Sequence, residues 1–219
     1  MSDTAEYLRS SSDAWYEEDG KFYNDQGEEI TGAVAKGIDV SKWNGEIDWA
    51  KVKATDVDYA IIRCGYGDDE TSQDDPYWKT NADACTKEGI PFGTYIYSYA
   101  DSVTAAKSEA NHVLRLIKGY DLSYPIYYDL EENSVREKLS TKEIAEVAQT
   151  FCSIIEDAGY DVAVYANKDW FTNYLTDSYF DTVDHWVAQY NSTCTYQGEY
   201  SMWQCTDSGT VDGIDGKVD

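Results

Sequence analysis

The sequence predicts an α/β fold: a shortened, irregular β/α barrel closed by bare strands, with a small β-hairpin in front of it. Three observations predict this. From Lys36 onward, short apolar runs alternate with amphipathic segments of helical period, an order that calls for parallel strands joined by right-handed crossovers. Beyond His185 the helical segments stop and the chain reads strand, turn, strand. The stretch from 36 to 219 is also shorter than the roughly 200 residues or more that a complete eight-unit barrel takes. A doubly wound open sheet is the rival arrangement, but neither a G-x-G-x-x-G turn nor a phosphate-binding P-loop marks a nucleotide site.

Each element has a local reason. Residues 1–35 form an extension and linker. In it Trp15-Tyr16 and Phe22-Tyr23 flank the hairpin-turn pair Asp19-Gly20, and Asp25-Gln26-Gly27 supplies a second turn. Strands are expected at 37–40, 58–64, 91–98, 124–130, 161–166, 185–190 and 200–205, where apolar and β-branched residues cluster between turn signals. Asp75-Pro76 reads as a cap followed by proline at the first helical position, and Gly89 stops that helix. Ser102 opens the next, whose Val103, Ala106, Ala110, Val113, Leu114 and Ile117 share one face before Gly119. Ser140 and Glu143 form a capping box ahead of a third helix that ends at Gly159. Residues 36–219 are thus one barrel domain.

Composition narrows the function classes. The chain has 219 residues, with 17 Lys and Arg against 42 Asp and Glu, a net charge of −25. Such a surface repels nucleic-acid phosphates and anionic membranes. A hydrophobic fraction of 42%, an aromatic fraction of 15% and only 3 prolines suit a folded domain, not an acidic disordered tail. No apolar stretch is long enough to span a bilayer. The opening residues show neither a basic region nor an apolar leader core. The chain therefore reads as a soluble monomer.

Five cysteines (Cys64, Cys85, Cys152, Cys194 and Cys205) include no C-x-x-C pair, which removes the usual zinc and redox motifs. Cys194 and Cys205 flank the turn-like Gln197-Gly198, and a disulfide across that hairpin is expected. Cys64 and Cys152 read as buried thiols. The acidic runs 68–75 and 207–216 lack the spacing of a calcium loop and read as solvated loops, so neither a metal nor a cofactor is expected.

The chemistry points elsewhere. Asp129 and Glu131 close the apolar run that begins at Tyr124. Residues i and i+2 of a strand face the same way, about 6 to 7 Å apart, and the carboxyl end of a barrel strand is where that fold keeps its active sites. Asp39 ends the first barrel strand and can converge on the same mouth. Two carboxyls in an aromatic pocket cannot both ionise easily, so one is held protonated and can act as an acid. Tyr95, Tyr97, Tyr128, Tyr165, Trp186, Tyr190 and Trp203 sit at or near strand ends and offer rings that stack on sugar faces. Only His112 and His185 are present and no G-x-S-x-G elbow occurs, which argues against a nucleophilic triad.

Several segments together resemble glycoside hydrolase family 25, the Chalaropsis-type lysozymes. They are Lys36 to Gly45 with Ile47-Asp48-Trp49, Tyr59 to Gly67, Gly89 to Tyr95, Pro125 to Glu131, Trp186 to Tyr190, Trp203-Gln204 and Gly213 to Asp219. The resemblance implies an irregular TIM-like (β/α)5(β)3 barrel. It also implies cleavage of the β-1,4 bond between N-acetylmuramic acid and N-acetylglucosamine in peptidoglycan glycan strands, and an extracellular or wall-associated setting. Carried over by position, Glu131 resembles the general acid and Asp129 its partner, with Asp39 and Asp219 as further acids and Gln189 among the substrate contacts. The family commonly has a histidine where Ile96 stands, and its last motif continues past Asp219. A chitinase-like acid ladder would require aspartates at positions 124 and 127, which are both tyrosine. The alternative of another class is a wall-binding module that uses the aromatic cleft without catalysis.

Overall fold

A computed structural model describes residues 15–219. Two strands, β1 (Tyr16–Glu18) and β2 (Lys21–Tyr23), form the expected antiparallel hairpin, with Tyr16 opposite Tyr23 and the two rings stacked at 5.1 Å. Asp19 (φ 54°) and Gly20 (φ 75°) take the left-handed backbone that this two-residue turn requires. The part of the extension before Trp15 lies outside the described residues.

Seven strands follow in one sheet, all parallel and in sequence order: β3 (Gly37–Val40), β4 (Tyr59–Tyr66), β5 (Phe92–Tyr97), β6 (Ile126–Asp129), β7 (Val162–Asn167), β8 (Asp184–Ala188) and β9 (Met202–Gln204). Helices α1 (Trp49–Val52), α2 (Trp78–Glu88), α3 (Val103–Leu116), α4 (Asn133–Arg136), α5 (Thr141–Asp157) and α6 (Lys168–Asn173) fill the first five crossovers. The result is a curled half-barrel, helical on the outside of its first five strands. β9 does not pair with β3. The chain end bridges the seam, where the amide of Asp39 donates to the carbonyl of Asp219 at 3.2 Å and Gly209 bridges Val218.

Alternation along the strands sorts the core into two layers. Outward residues such as Ile62, Ile96, Tyr128, Val164 and Val187 pack under the helices, while Tyr59, Ile61, Tyr127, Ala163, Tyr165 and Trp186 fill the inside of the curl. Close strand approach is kept at Gly93, where a Cβ would lie 2.7 Å from the carbonyl oxygen of Pro125. The helix signals hold. Ser102 Oγ accepts from Ala105 N, both bonds of the Ser140–Glu143 capping box form, and Gly89 (φ 66°) ends α2. No helix among the described residues is long and apolar enough to cross a membrane.

Three expectations are corrected. β8 and β9 run parallel, so the segment between them is a crossover and not a hairpin, and Cys194 and Cys205 are separate free thiols. Cys64 and Cys152 are buried, as expected, with burial pushing each thiol up to about 12. The run 68–75 is an exposed loop over residues 68–72, as expected, and is anchored at its Asp74-Asp75 end. Arg115 pairs with Asp69 and Asp74 at 2.6 Å, and His112 Nε2 lies 2.9 Å from Asp74. Asp75 is not the residue next to α2; a turn intervenes and α2 starts at Trp78. Its buried carboxylate takes Arg63 Nε at 2.8 Å and the amides of Lys42 and Tyr77, each at 2.9 Å. Removing one partner of a buried pair strands the other charge. Asp75→Asn is therefore expected to lower the unfolding free energy by about 3 kcal/mol or more, measured by urea denaturation at pH 7.

Candidate active site

The carboxyl ends of the strands bring Asp39, Arg63, Tyr95, Tyr97, Asp129, Tyr165 and Gln204 to one opening, completed by Glu131, Trp186, Tyr190, Lys217 and Asp219. The cleft they line has a volume of about 360 Å³. β6 itself ends at Asp129, yet the alternation continues beyond it. Leu130 is buried in the outer layer, where its amide donates to the Tyr165 carbonyl at 2.9 Å, and Glu131 returns to the cleft. The two acids thus share a face, as their spacing predicts.

Burial governs the electrostatics. Asp129 is 3% exposed, and its Oδ1 has no hydrogen-bond donor among the described residues. Loss of water, then the nearby charges of Glu131 and Asp39, push its carboxyl well above the ordinary range, with Arg63 acting the other way. Glu131 is raised by the same loss of water, against a bond from Asn167 Nδ2 to its Oε2 at 3.5 Å. Asp39 is pushed up to about 8, mainly by burial and then by Asp219; the 2.8 Å bond from Gln204 Nε2 opposes the shift. Asp219 rises to about 6 through burial and Asp207. The cleft is a set of desolvated acids that hold protons more tightly than free carboxyls do.

Tyrosines surround this cluster. Tyr165 and Tyr190 donate to Oε1 of Gln204 at 2.7 and 3.2 Å, so that the amide links both rings to Asp39. Tyr97 donates to Glu132 at 3.1 Å and leans on Tyr99, with ring centroids 5.1 Å apart. The structure moves three expected contacts away from the cleft. Tyr128 lies on the outer face of β6, stacked on Phe151 at 3.8 Å and donating to Glu109 at 2.6 Å. Gln189 is occupied with Thr195, its Oε1 accepting from the threonine amide at 2.8 Å. Trp203 faces outward on the edge strand β9, edge-on to Trp15 at 5.6 Å. Ile96 is in the outer core too, so that position offers no sugar contact from this strand geometry.

Other cleft residues carry no signal strong enough to single out from sequence. Arg63 and Gln204 are inward-facing strand residues recognisable only once the register is known. Trp43 lines the cleft at 80% exposure on the 3₁₀ turn Lys42–Asn44. Among the described residues no cluster of His, Cys, Asp or Glu has an arrangement that could hold a metal ion.

Paired, desolvated carboxyls at the carboxyl ends of parallel barrel strands, ringed by tyrosine and tryptophan, are an arrangement of the kind glycoside hydrolases use. The chain matches the sequence model of Glycosyl hydrolases family 25 over residues 38–214, and it belongs to that family. An autolytic lysozyme of Clostridium acetobutylicum is 31% identical over 188 residues, a match covering 84% of this chain and 54% of that protein. The modular autolysin LytC of Streptococcus pneumoniae, solved in complex with a synthetic peptidoglycan ligand, superposes with a TM-score of 0.82 at 31% identity. That match covers 94% of this chain but 51% of LytC, so the chain spans about half the length of that relative. A bacterial lysozyme from Streptomyces coelicolor has a TM-score of 0.73 at 25% identity, covering 85% of this chain and 90% of that one.

The raised carboxyls have a stability consequence whose sign is fixed. A group held protonated in the folded state stabilises most below its unfolded value, and that contribution is lost as pH rises through the folded value. For Asp39 the window runs from about 4 to about 8, and Asp219 adds to it up to about 6. Urea unfolding at pH 5 and pH 8 should show lower stability at pH 8, with a smaller drop for Asp39→Asn.

Proposed function

We propose that the protein hydrolyses peptidoglycan by cleaving the β-1,4 bond between N-acetylmuramic acid and N-acetylglucosamine. The observation that carries this reading is the shared placement of Asp129 and Glu131 in one desolvated cleft. Family membership and the lysozyme and autolysin relatives support the substrate class.

Glu131 is the general acid in this reading. Its raised carboxyl retains a proton closer to neutrality, and the Asn167 amide orients it. It protonates the glycosidic oxygen of the leaving sugar as the bond to the anomeric carbon breaks and positive charge develops on the ring that keeps that carbon. Asp129 offers a buried oxygen without a donor, suited to take the N–H of the substrate's 2-acetamido group and align its carbonyl oxygen as the nucleophile. Water then opens the resulting ring intermediate, with Glu131, now ionised, as base. Asp39, held by Gln204 and pushed up to about 8, and Asp219, raised to about 6, line the same cleft; of the two it is Asp219 that is ionised near neutrality and favours the cationic transition state electrostatically. Tyr95, Tyr97, Tyr165, Trp186 and Tyr190 supply the sugar-facing rings.

The setting follows from charge. At −25 the protein gains no electrostatic hold on the anionic polymers of a bacterial wall. Action at the wall, outside the cell, therefore rests on cleft contacts or on other parts of a longer protein.

Digestion of purified peptidoglycan should create new reducing ends on N-acetylmuramic acid; reducing ends on N-acetylglucosamine would contradict the bond assignment. Glu131→Gln should lose about 10²- to 10⁴-fold in lytic rate while still sedimenting with peptidoglycan. A wall-binding module would show no lysis in either form. The anomer first released from a soluble glycan, followed by NMR, should be β, since the acetamido route retains configuration; α-product would assign water activation to Asp129.

A further inference from the structure

Two cations line the cleft, and one of them is already committed. Arg63 directs Nε to Asp75 at 2.8 Å, with its terminal nitrogen equally close. Lys217 is exposed at the mouth of the cleft and has no salt-bridge partner among the described residues. Its carbonyl accepts from Asn44 Nδ2 at 3.1 Å, which ties the end of the chain to the 3₁₀ turn carrying Trp43. On the same bank, the Lys42 ammonium lies 4.8 Å from the Trp43 ring centroid and 5.7 Å from that of Tyr66. This bank therefore combines an exposed indole with two ammonium groups, in a protein of net charge −25 and beside a cleft of four acids.

A glycan that enters this cleft with a carboxylate of its own finds Arg63 taken up by Asp75, so among the lining residues Lys217 is the cation left uncommitted to receive it. N-acetylmuramic acid carries such a group on the lactyl ether at its 3-position, and a polymer of N-acetylglucosamine does not. We propose that Lys217, reinforced by Lys42, receives the lactyl carboxylate while Trp43 stacks on the sugar face, so that this bank selects muramyl strands over uncharged ones. The assignment rests on the peptidoglycan reading above and deepens it. An exposed ammonium gives a modest, salt-sensitive preference.

The test uses the full chain carrying Glu131→Gln, so that substrate survives. Its probes are a tetrasaccharide of alternating N-acetylglucosamine and N-acetylmuramic acid with free lactyl carboxylates, and the same tetrasaccharide with those carboxylates converted to neutral methyl amides. At low salt the acid form should bind about three- to tenfold more tightly. The preference should fade in about 0.5 M salt and vanish when Lys217→Gln is added. Equal binding of the two probes, or a preference that survives Lys217→Gln, overturns the lysine assignment. It leaves the hydrolase reading standing, because that reading fails separately if the unsubstituted chain releases no muramic reducing ends.

Discussion

Desolvation of acids at the rim of a curled sheet is the constraint on which the rest of this structure depends. Parallel strands place every second side chain inside the curl, and the inner layer below the rim is filled by Tyr59, Ile61, Tyr127 and Trp186. Water is excluded there, so whatever sits in the next layer up is polar yet poorly solvated. Asp39, Asp129, Tyr165 and Gln204 occupy that layer. Such groups would destabilise the fold if ionised together. Retained protons and the Gln204 amide lower that cost, and the same retained protons suit acid catalysis.

The outer layer carries a second set of polar tethers that shape the cleft without entering it. Asp75 fastens Arg63 to the turn at Lys42 and to the approach to α2. On α3, Glu109 takes bonds from Ser98 and Tyr128 and from the amide of Tyr99, while His112 reaches the carbonyl of Gly67 at 3.0 Å and Asp74. Both loops held by α3 adjoin tyrosines, Tyr66 at the end of β4, Tyr97 at the end of β5 and Tyr99 just after it, of which Tyr97 lines the cleft. A buried glutamate that satisfies three donors converts the helix into a fixed support for those loops. Stability and site geometry are coupled through these few contacts.

Much of this was legible in the sequence because it depends on local chemistry. Gly89, Ser102 and the Ser140–Glu143 box mark helix ends whose orphan groups need partners, and apolar runs such as 59–64 and 124–130 mark strands buried on both faces. Asp129 and Glu131 were legible because i, i+2 spacing fixes a shared face wherever the strand lies. Long-range register was not. Without it the segment after His185 read as a hairpin and suggested a Cys194–Cys205 bond, whereas β9 is parallel to β8. Tyr128 needs no register: beside the inward Asp129 it faces the other way by the same alternation that joins Asp129 to Glu131, and Trp203 turns outward likewise beside the inward Gln204. The missing register left Arg63, Gln204 and Trp43 unmarked, since their meaning comes from neighbours far away in sequence.

The most direct measure of the central claim is a ¹³C NMR titration of the side-chain carboxyls, with Asp39, Asp129, Glu131 and Asp219 assigned by single substitution. All four should titrate above ordinary aspartate and glutamate, with Asp39 near 8 and Asp219 near 6. Titration of the four at or below about 4, the range of free carboxyls, would contradict a desolvated cluster and remove the physical basis for Glu131 as the acid.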